Sequence, residues 1–270
     1  IARRAYCGCA RLRLMAKKLK SPWKDRKELL RDISSFIGRN GAFFKQNAKR
    51  MSDLFEMSIY NDAIRYYRRK KFNLEVKQLG KNGTFRYKLS PAGLKQNFSY
   101  FVVSKLVGRG SKRHEEKYEV HHNVRIQSAH DPHIYYTADV SVTTDNGVKT
   151  VRQNSGRKHS FIPNDRLITF FEVKNMNPFP EVLFSFSGLV LEVFPQLVGG
   201  QIPYGAGKGH LLPCIVFSGA GNAHAIYVGQ ALSQRWGFNV ISGTYANKAQ
   251  IYSFRNLNEY DVQSNGEGGS

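Results

Sequence analysis

Three charged residues stand in two stretches that otherwise read as buried strands. Asp139 lies in Tyr135-Tyr136-Thr137-Ala138-Asp139-Val140-Ser141-Val142. Glu172 and Lys174 lie in Leu167-Ile168-Thr169-Phe170-Phe171-Glu172-Val173-Lys174. A carboxylate is costly to bury without a partner, and a divalent cation shared by Asp139 and Glu172 would supply one. Side chains two apart on a strand share a face. Glu172 and Lys174 should therefore project together, while Val173 turns into the core and offers its carbonyl as a further ligand. Mg²⁺ takes hard oxygen ligands, one or two carboxylates with water and substrate phosphate, and Mn²⁺ is expected to substitute. Hydrolysis of a phosphodiester needs an in-line water, neutralisation of the phosphoryl oxygens and help for the leaving oxygen. In such a site Lys174 would orient the water or hold the scissile phosphate.

The charge balance agrees with a polyphosphate partner. The chain has 270 residues and a net charge of +21. From residue 175 onward Lys208, Arg235, Lys248 and Arg255 are offset by Glu181, Glu192, Glu259, Asp261 and Glu267, so the excess lies in residues 1–174. Nucleic acid selects a field of this kind, with DNA expected over RNA; an anionic membrane surface is the alternative. The longest apolar run, Val182 to Val198, is interrupted by Glu192 and Pro195 and is too short to span a bilayer. Residues 1–20 are basic and have no apolar core segment, so no signal peptide is expected. An intracellular, cytoplasmic or nucleoid-associated setting follows as the expectation. The three cysteines give no disulfide framework, and Cys7-Gly8-Cys9 lacks the second pair of a zinc site.

The elements that must position these residues can be read from periodicity. Residues 1–50 form a basic arm, with helical spacing from Trp23 to Ile37, and residues 256–270 a flexible tail. A core is expected over 51–255. It opens with a helix from about Leu54 to Lys70, capped by Ser52 or Asp53. Arg65, Arg68, Arg69 and Lys70 gather at its C-terminal end, where the dipole favours cations. Phe72 to Gln78 and Thr84 to Leu89 read as a hairpin around Gly80-Lys81-Asn82-Gly83. Phe98 to Lys105 is a further strand. In Tyr118 to Gln127, residues Tyr118, Val120, His122, Val124 and Ile126 should share one face. The polar insert from about Thr144 to Asp165 reads as a loop near the bound partner, with Arg152, Arg157 and Lys158 available to phosphates. Pro178 suits a helix start, and Glu181 to Val193 reads as a helix apolar on most sides, hence buried. A strand at Leu211 to Phe217, a helix at Ala223 to Trp236 and a strand at Phe238 to Ile241 complete an α/β fold with a central mixed sheet flanked by helices.

Asp139 followed by Glu172-Val173-Lys174, within this order of elements, resembles the PD-(D/E)xK nuclease superfamily and its restriction-endonuclease-like fold. The resemblance covers roughly residues 51–241. It implies a Mg²⁺-dependent endonuclease serving defence, restriction or repair, with Asp139 and Glu172 as ligands and Lys174 as the catalytic amine. In that superfamily the first core helix often adds an acid, and Glu56 matches that role in position. Glu56 is equally suited to satisfying the helix dipole. Ala138 stands where the pattern often has Pro, and the gap from Asp139 to Glu172 is long, so the 144–165 insert must loop out. Double-strand cutting uses two centres, so a homodimer is expected. The same fold also serves as a non-catalytic nucleic-acid-binding module, which is the alternative function.

Other residues carry weaker signals. His121-His122, His130 and His133 precede Asp139 and suit phosphate contact or plain surface better than zinc. Asp131 is a second candidate for the ligand role of Asp139, in a turn. Gly205-Ala206-Gly207-Lys208-Gly209 lacks the spacing and following hydroxyl of a phosphate-binding loop. Ser218-Gly219-Ala220-Gly221-Asn222 reads as a tight strand-to-helix turn.

Overall fold

The structure is a computed structural model that describes residues 51–152, 156–197, 210–244 and 250–252. The expected arm at 1–50 with Cys7 and Cys9, the glycine segment at 205–209 and the tail at 256–270 lie outside the described residues. Helix α1 (Met51–Arg69) comes first, followed by strands β1 (Asn73–Lys77), β2 (Tyr100–Val107), β3 (His114–Gln127) and β4 (Tyr135–Thr144). Strands β5 (Lys149–Arg152), β6 (Lys158–Ile162) and β7 (Leu167–Lys174) precede helix α2 (Pro180–Val193). Then come β8 (Cys214–Phe217), helix α3 (Ala223–Trp236), β9 (Asn239–Ser242) and β10 (Gln250–Tyr252). The ten strands form one sheet in the order β1-β2-β3-β4-β7-β8-β9-β10, with β5 and β6 attached at the side through β3. The sheet is mixed. Neighbours from β1 to β7 run antiparallel, β7, β8 and β9 run parallel, and β10 returns antiparallel. This is the expected α/β architecture.

Two apolar layers cover the sheet. One holds Phe55, Ile59, Tyr60, Ala63 and Tyr67 of α1 against Val103, Val120, Val140, Phe171, Val173 and Val216. The other holds Leu183, Phe186 and Val190 of α2 and Leu232 of α3 against Val124, Ala138, Phe170, Ile215 and Phe217. Strand β8 is covered on both faces, which explains why its sequence is a continuous apolar run. Helix α3 has the bounds its pattern indicates. The Asn222 side chain accepts from the Ala225 amide at 2.8 Å to cap its start, and Gly237 closes it in the left-handed conformation at φ 71°.

Four expectations need correction. The segment Thr84 to Leu89 does not pair with β1, which instead pairs with β2. Phe85 and Tyr87 leave the ladder to pack on Tyr60, with ring centroids 6.0 and 5.9 Å away, so aromatic burial against α1 wins over hairpin closure. The insert after Thr144 is not simply a loop: β5 and β6 form an antiparallel hairpin, and β6 lies parallel to β3 at Arg125 and Ile126. Helix α2 is not buried on most sides, because it forms an outer layer and leaves Phe184 and Leu191 exposed. The five alternating residues of β3 do not share a face. Tyr118 and Val120 belong to the α1 layer, and Val124 and Ile126 to the layer of α2 and α3. The strand turns over at Asn123, which holds a positive φ of 52°. Strand β4 turns over at the same level, since Ala138 and Val140 also fall in different layers.

Candidate active site

The site forms where β4 parts from β7. Their antiparallel register runs from Val142 opposite Thr169 to Val140 opposite Phe171 and ends there, while β7 continues beside β8 to Lys174 opposite Phe217. A sheet amide left without a strand partner must find another acceptor. The Val173 amide finds the side chain of Asp139, donating to its Oδ2 at 2.7 Å. The long insert therefore does loop out, and Asp139 reaches the Glu172-Val173-Lys174 strand. Val173 itself lies in the α1 layer, so Glu172 and Lys174 project the other way, as their spacing requires.

The charged groups act on one another. Glu172 is buried; one carboxylate oxygen accepts from the Tyr136 hydroxyl and the other pairs with Lys174 Nζ. Burial, then Glu172 and then Glu56 hold the Asp139 carboxyl well above the usual range, against the Val173 amide and Lys174. Burial opposes the charge on Lys174, but Glu172, Asp139 and Glu56 outweigh it and raise the ammonium above its ordinary value. Burial first, then Glu172 and Asp139, push the Tyr136 hydroxyl far up, so it serves as a donor to Glu172. Three carboxyl groups thus act on one ammonium, and the raised Asp139 is the group whose charged form a bound cation would favour.

Glu56 enters from the first turns of α1. Its Oε2 accepts from Asn123 Nδ2 at 3.2 Å and lies 3.9 Å from His122 Nε2. His122 is buried and pushed down to about 3, by burial and then by Lys88, so it is neutral at physiological pH. Asn123 falls between the pairs His122–Val140 and Val124–Ala138, which sets it across from Asp139. Its amide also donates to the Lys88 carbonyl at 3.0 Å, and its own carbonyl accepts from Lys88 Nζ at 2.6 Å. Among the described residues, no three His, Cys, Asp or Glu side chains close on one point as a metal cluster. Asp139 reaches the Glu172 strand through the Val173 amide, and Glu56 is turned toward Asn123. Two carboxylates with a backbone carbonyl fit the hard-oxygen demand of Mg²⁺, which completes its shell with water and phosphate.

The remaining sequence candidates are dispersed. His121 belongs to a separate buried group, where its Nε2 lies 2.9 Å from Glu119. His130 Nε2 contacts the Leu191 carbonyl, and Asp131 accepts from the His133 amide within its turn, so neither His130 nor Asp131 joins Asp139. Arg68 and Arg69 are exposed at the end of α1, twelve residues or about 18 Å along the helix from Glu56 to Arg68. Arg65 pairs with Asp62 at 3.2 Å, and Lys70 Nζ sits 5.7 Å from the Tyr66 ring centre. Arg152, Arg157 and Lys158 are exposed on and around the β5–β6 hairpin.

Sequence reading missed Tyr136 and Asn123. Tyr136 lies three residues before Asp139, off the period of two, so no alternation marks it. Asn123 did leave a signal, because an Asn inside an apolar strand pattern is a mark of irregular backbone. Among the described residues, no helix is long and apolar enough to cross a membrane. No family model matches this chain, and no curated protein is similar to it in sequence.

Proposed function

We propose that this protein is a Mg²⁺-dependent endonuclease that hydrolyses phosphodiester bonds, with DNA as its favoured substrate and a restriction-endonuclease-like core. The observation that carries the reading is the end of the β4–β7 ladder, where Asp139 bonds to the strand that presents Glu172 and Lys174. Asp139 and Glu172 would hold the ion, with the Val173 carbonyl beside them and Glu56 adding charge from α1. The ion, when bound, supplies positive charge to the phosphoryl oxygens and acidifies water. Lys174, kept protonated by the carboxylates around it, is a positioned hydrogen-bond donor for the attacking water or the scissile phosphate. Tyr136 holds Glu172 in place by donating to it. The exposed cations Arg68, Arg69, Arg152, Arg157 and Lys158 would contact the backbone away from the cut, in an intracellular setting and with a homodimer for double-strand cleavage.

The test is cleavage of supercoiled plasmid and of labelled oligonucleotides with Mg²⁺ or Mn²⁺. Asp139→Asn and Lys174→Met should each lower the rate by about 10²-fold or more. Mg²⁺ should raise the melting temperature of the wild type but not that of Asp139→Asn. Equal rates in all three proteins would overturn the proposal.

One observation favours a second reading, a nucleic-acid-binding module without catalysis. Glu172 is already engaged on both oxygens, by Tyr136 and Lys174. That reading requires salt-dependent DNA binding, no metal-dependent turnover and no Mg²⁺ effect on melting.

A further inference from the structure

Two cations on the Asn123 side of the site lack carboxylate partners among the described residues. Lys88 is 4% exposed, yet its Nζ donates only to backbone carbonyls, those of Ser90 and Asn123, each at 2.6 Å. Arg125 is half-buried on β3, and its charge acts on both Lys88 and His159. Among the described residues, neither Lys88 nor Arg125 forms an ion pair. A buried cation without an anion is costly, and so is a second cation brought next to it. An arrangement of this kind is poised for an anion that arrives from outside.

Position identifies that anion. Arg125 pairs across β3–β4 with Thr137, two residues from Asp139, which places it about 7 Å along the strand from the acid. Asn123 joins the two sides of the site, with its carbonyl on Lys88 Nζ and its amide on Glu56. Val124 and Ile126 point into the α2 and α3 layer, so Arg125 between them projects to the α1 side, the side from which Glu56 enters. On the reading of the site given above, we infer that Arg125, backed by Lys88, is the seat for a backbone phosphate of the nucleic-acid substrate next to the phosphodiester that is cut. The guanidinium is suited to this because its planar fork engages two phosphate oxygens at once. Lys88 holds the β3 kink in place and adds charge from behind.

Binding of a fluorescein-labelled DNA oligonucleotide to the full chain, followed by anisotropy in EDTA, tests this without any chemistry. Arg125→Gln should weaken the Kd by about tenfold and lower the slope of log K against log salt by about 1. Arg125→Lys should recover the slope but only part of the affinity, since it keeps the charge and loses the fork. Lys112→Gln, at the exposed β2–β3 turn, should stay within about twofold of the wild type. Because Lys88→Met is expected to unfold the buried region, Arg125 carries the test, and its variants should melt as the wild type does. Unchanged Kd and slope in Arg125→Gln, or no oligonucleotide binding by the wild type, would overturn the phosphate seat. If binding depends on Arg125 while Mg²⁺ produces no cleavage, the seat stands and the nuclease reading falls. If cleavage proceeds while Arg125→Gln binds as the wild type does, the nuclease reading stands and the seat falls.

Discussion

Tyr136 is the side chain whose removal says most about how the acid is controlled. Its hydroxyl donates to Glu172, whose other oxygen is held by Lys174. A group that orients a metal ligand is worth about 10- to 100-fold in metal affinity or activity. Tyr136→Phe should therefore reduce Mg²⁺-dependent cleavage by about that factor. The Mg²⁺ concentration at half-maximal rate should also change, read from a titration at saturating substrate. A variant with the wild-type rate and Mg²⁺ dependence would make Tyr136 a packing residue only.

At the scale of elements, the paired turnover of β3 and β4 builds the site. Asn123 adopts φ 52°, a conformation that costs about 1–2 kcal/mol for most residues and less for Asn. Asn123→Ala should destabilise the fold by about 2 kcal/mol or more, adding backbone strain to the loss of the bonds to Glu56 and the Lys88 carbonyl. Asn123→Gly relieves the strain but not the lost bonds. It should recover about 1 kcal/mol in urea unfolding while leaving cleavage impaired. This feature also marks where sequence reading stops. Asp139 stood out as a charge in an apolar run, Glu172 and Lys174 also because period-two alternation puts them on one face, and helix α3 because its cap and terminal Gly are local signals. The switch of face at Asn123 breaks the alternation on which the reading of β3 rests. The fate of Thr84 to Leu89 depends on Tyr60, a residue far away in the chain. The docking of β6 on β3 is likewise a long-range pairing that no local pattern encodes.

For the molecule as a whole, acid stability has an identifiable contributor. His210 is buried among Tyr67, Phe72 and Tyr118, with its Nδ1 2.8 Å from the Tyr67 hydroxyl. Burial pushes it down to about 4 from an ordinary 6.5. As pH falls from 6.5 toward 4, the unfolded chain takes up a proton that the folded chain refuses. Stability is therefore fully present above 6.5 and is lost through that window, by up to about 3 kcal/mol. His210→Phe should flatten the fall in urea-unfolding free energy between pH 6.5 and 4; an unchanged pH profile would show that this imidazole is not held neutral. The way the sheet is assembled bears on a different property. The β5–β6 hairpin joins β3 through two residue pairs, Arg125–Phe161 and Ile126–Ile162, on the edge that β2 has already left. This short pairing is completed by ring contacts of His159 and Phe161 with Tyr135 on β4 and by Ile162 in the α2 and α3 layer. The hairpin's outer residues Arg152, Arg157 and Lys158 are exposed, so changes there leave the two buried layers untouched.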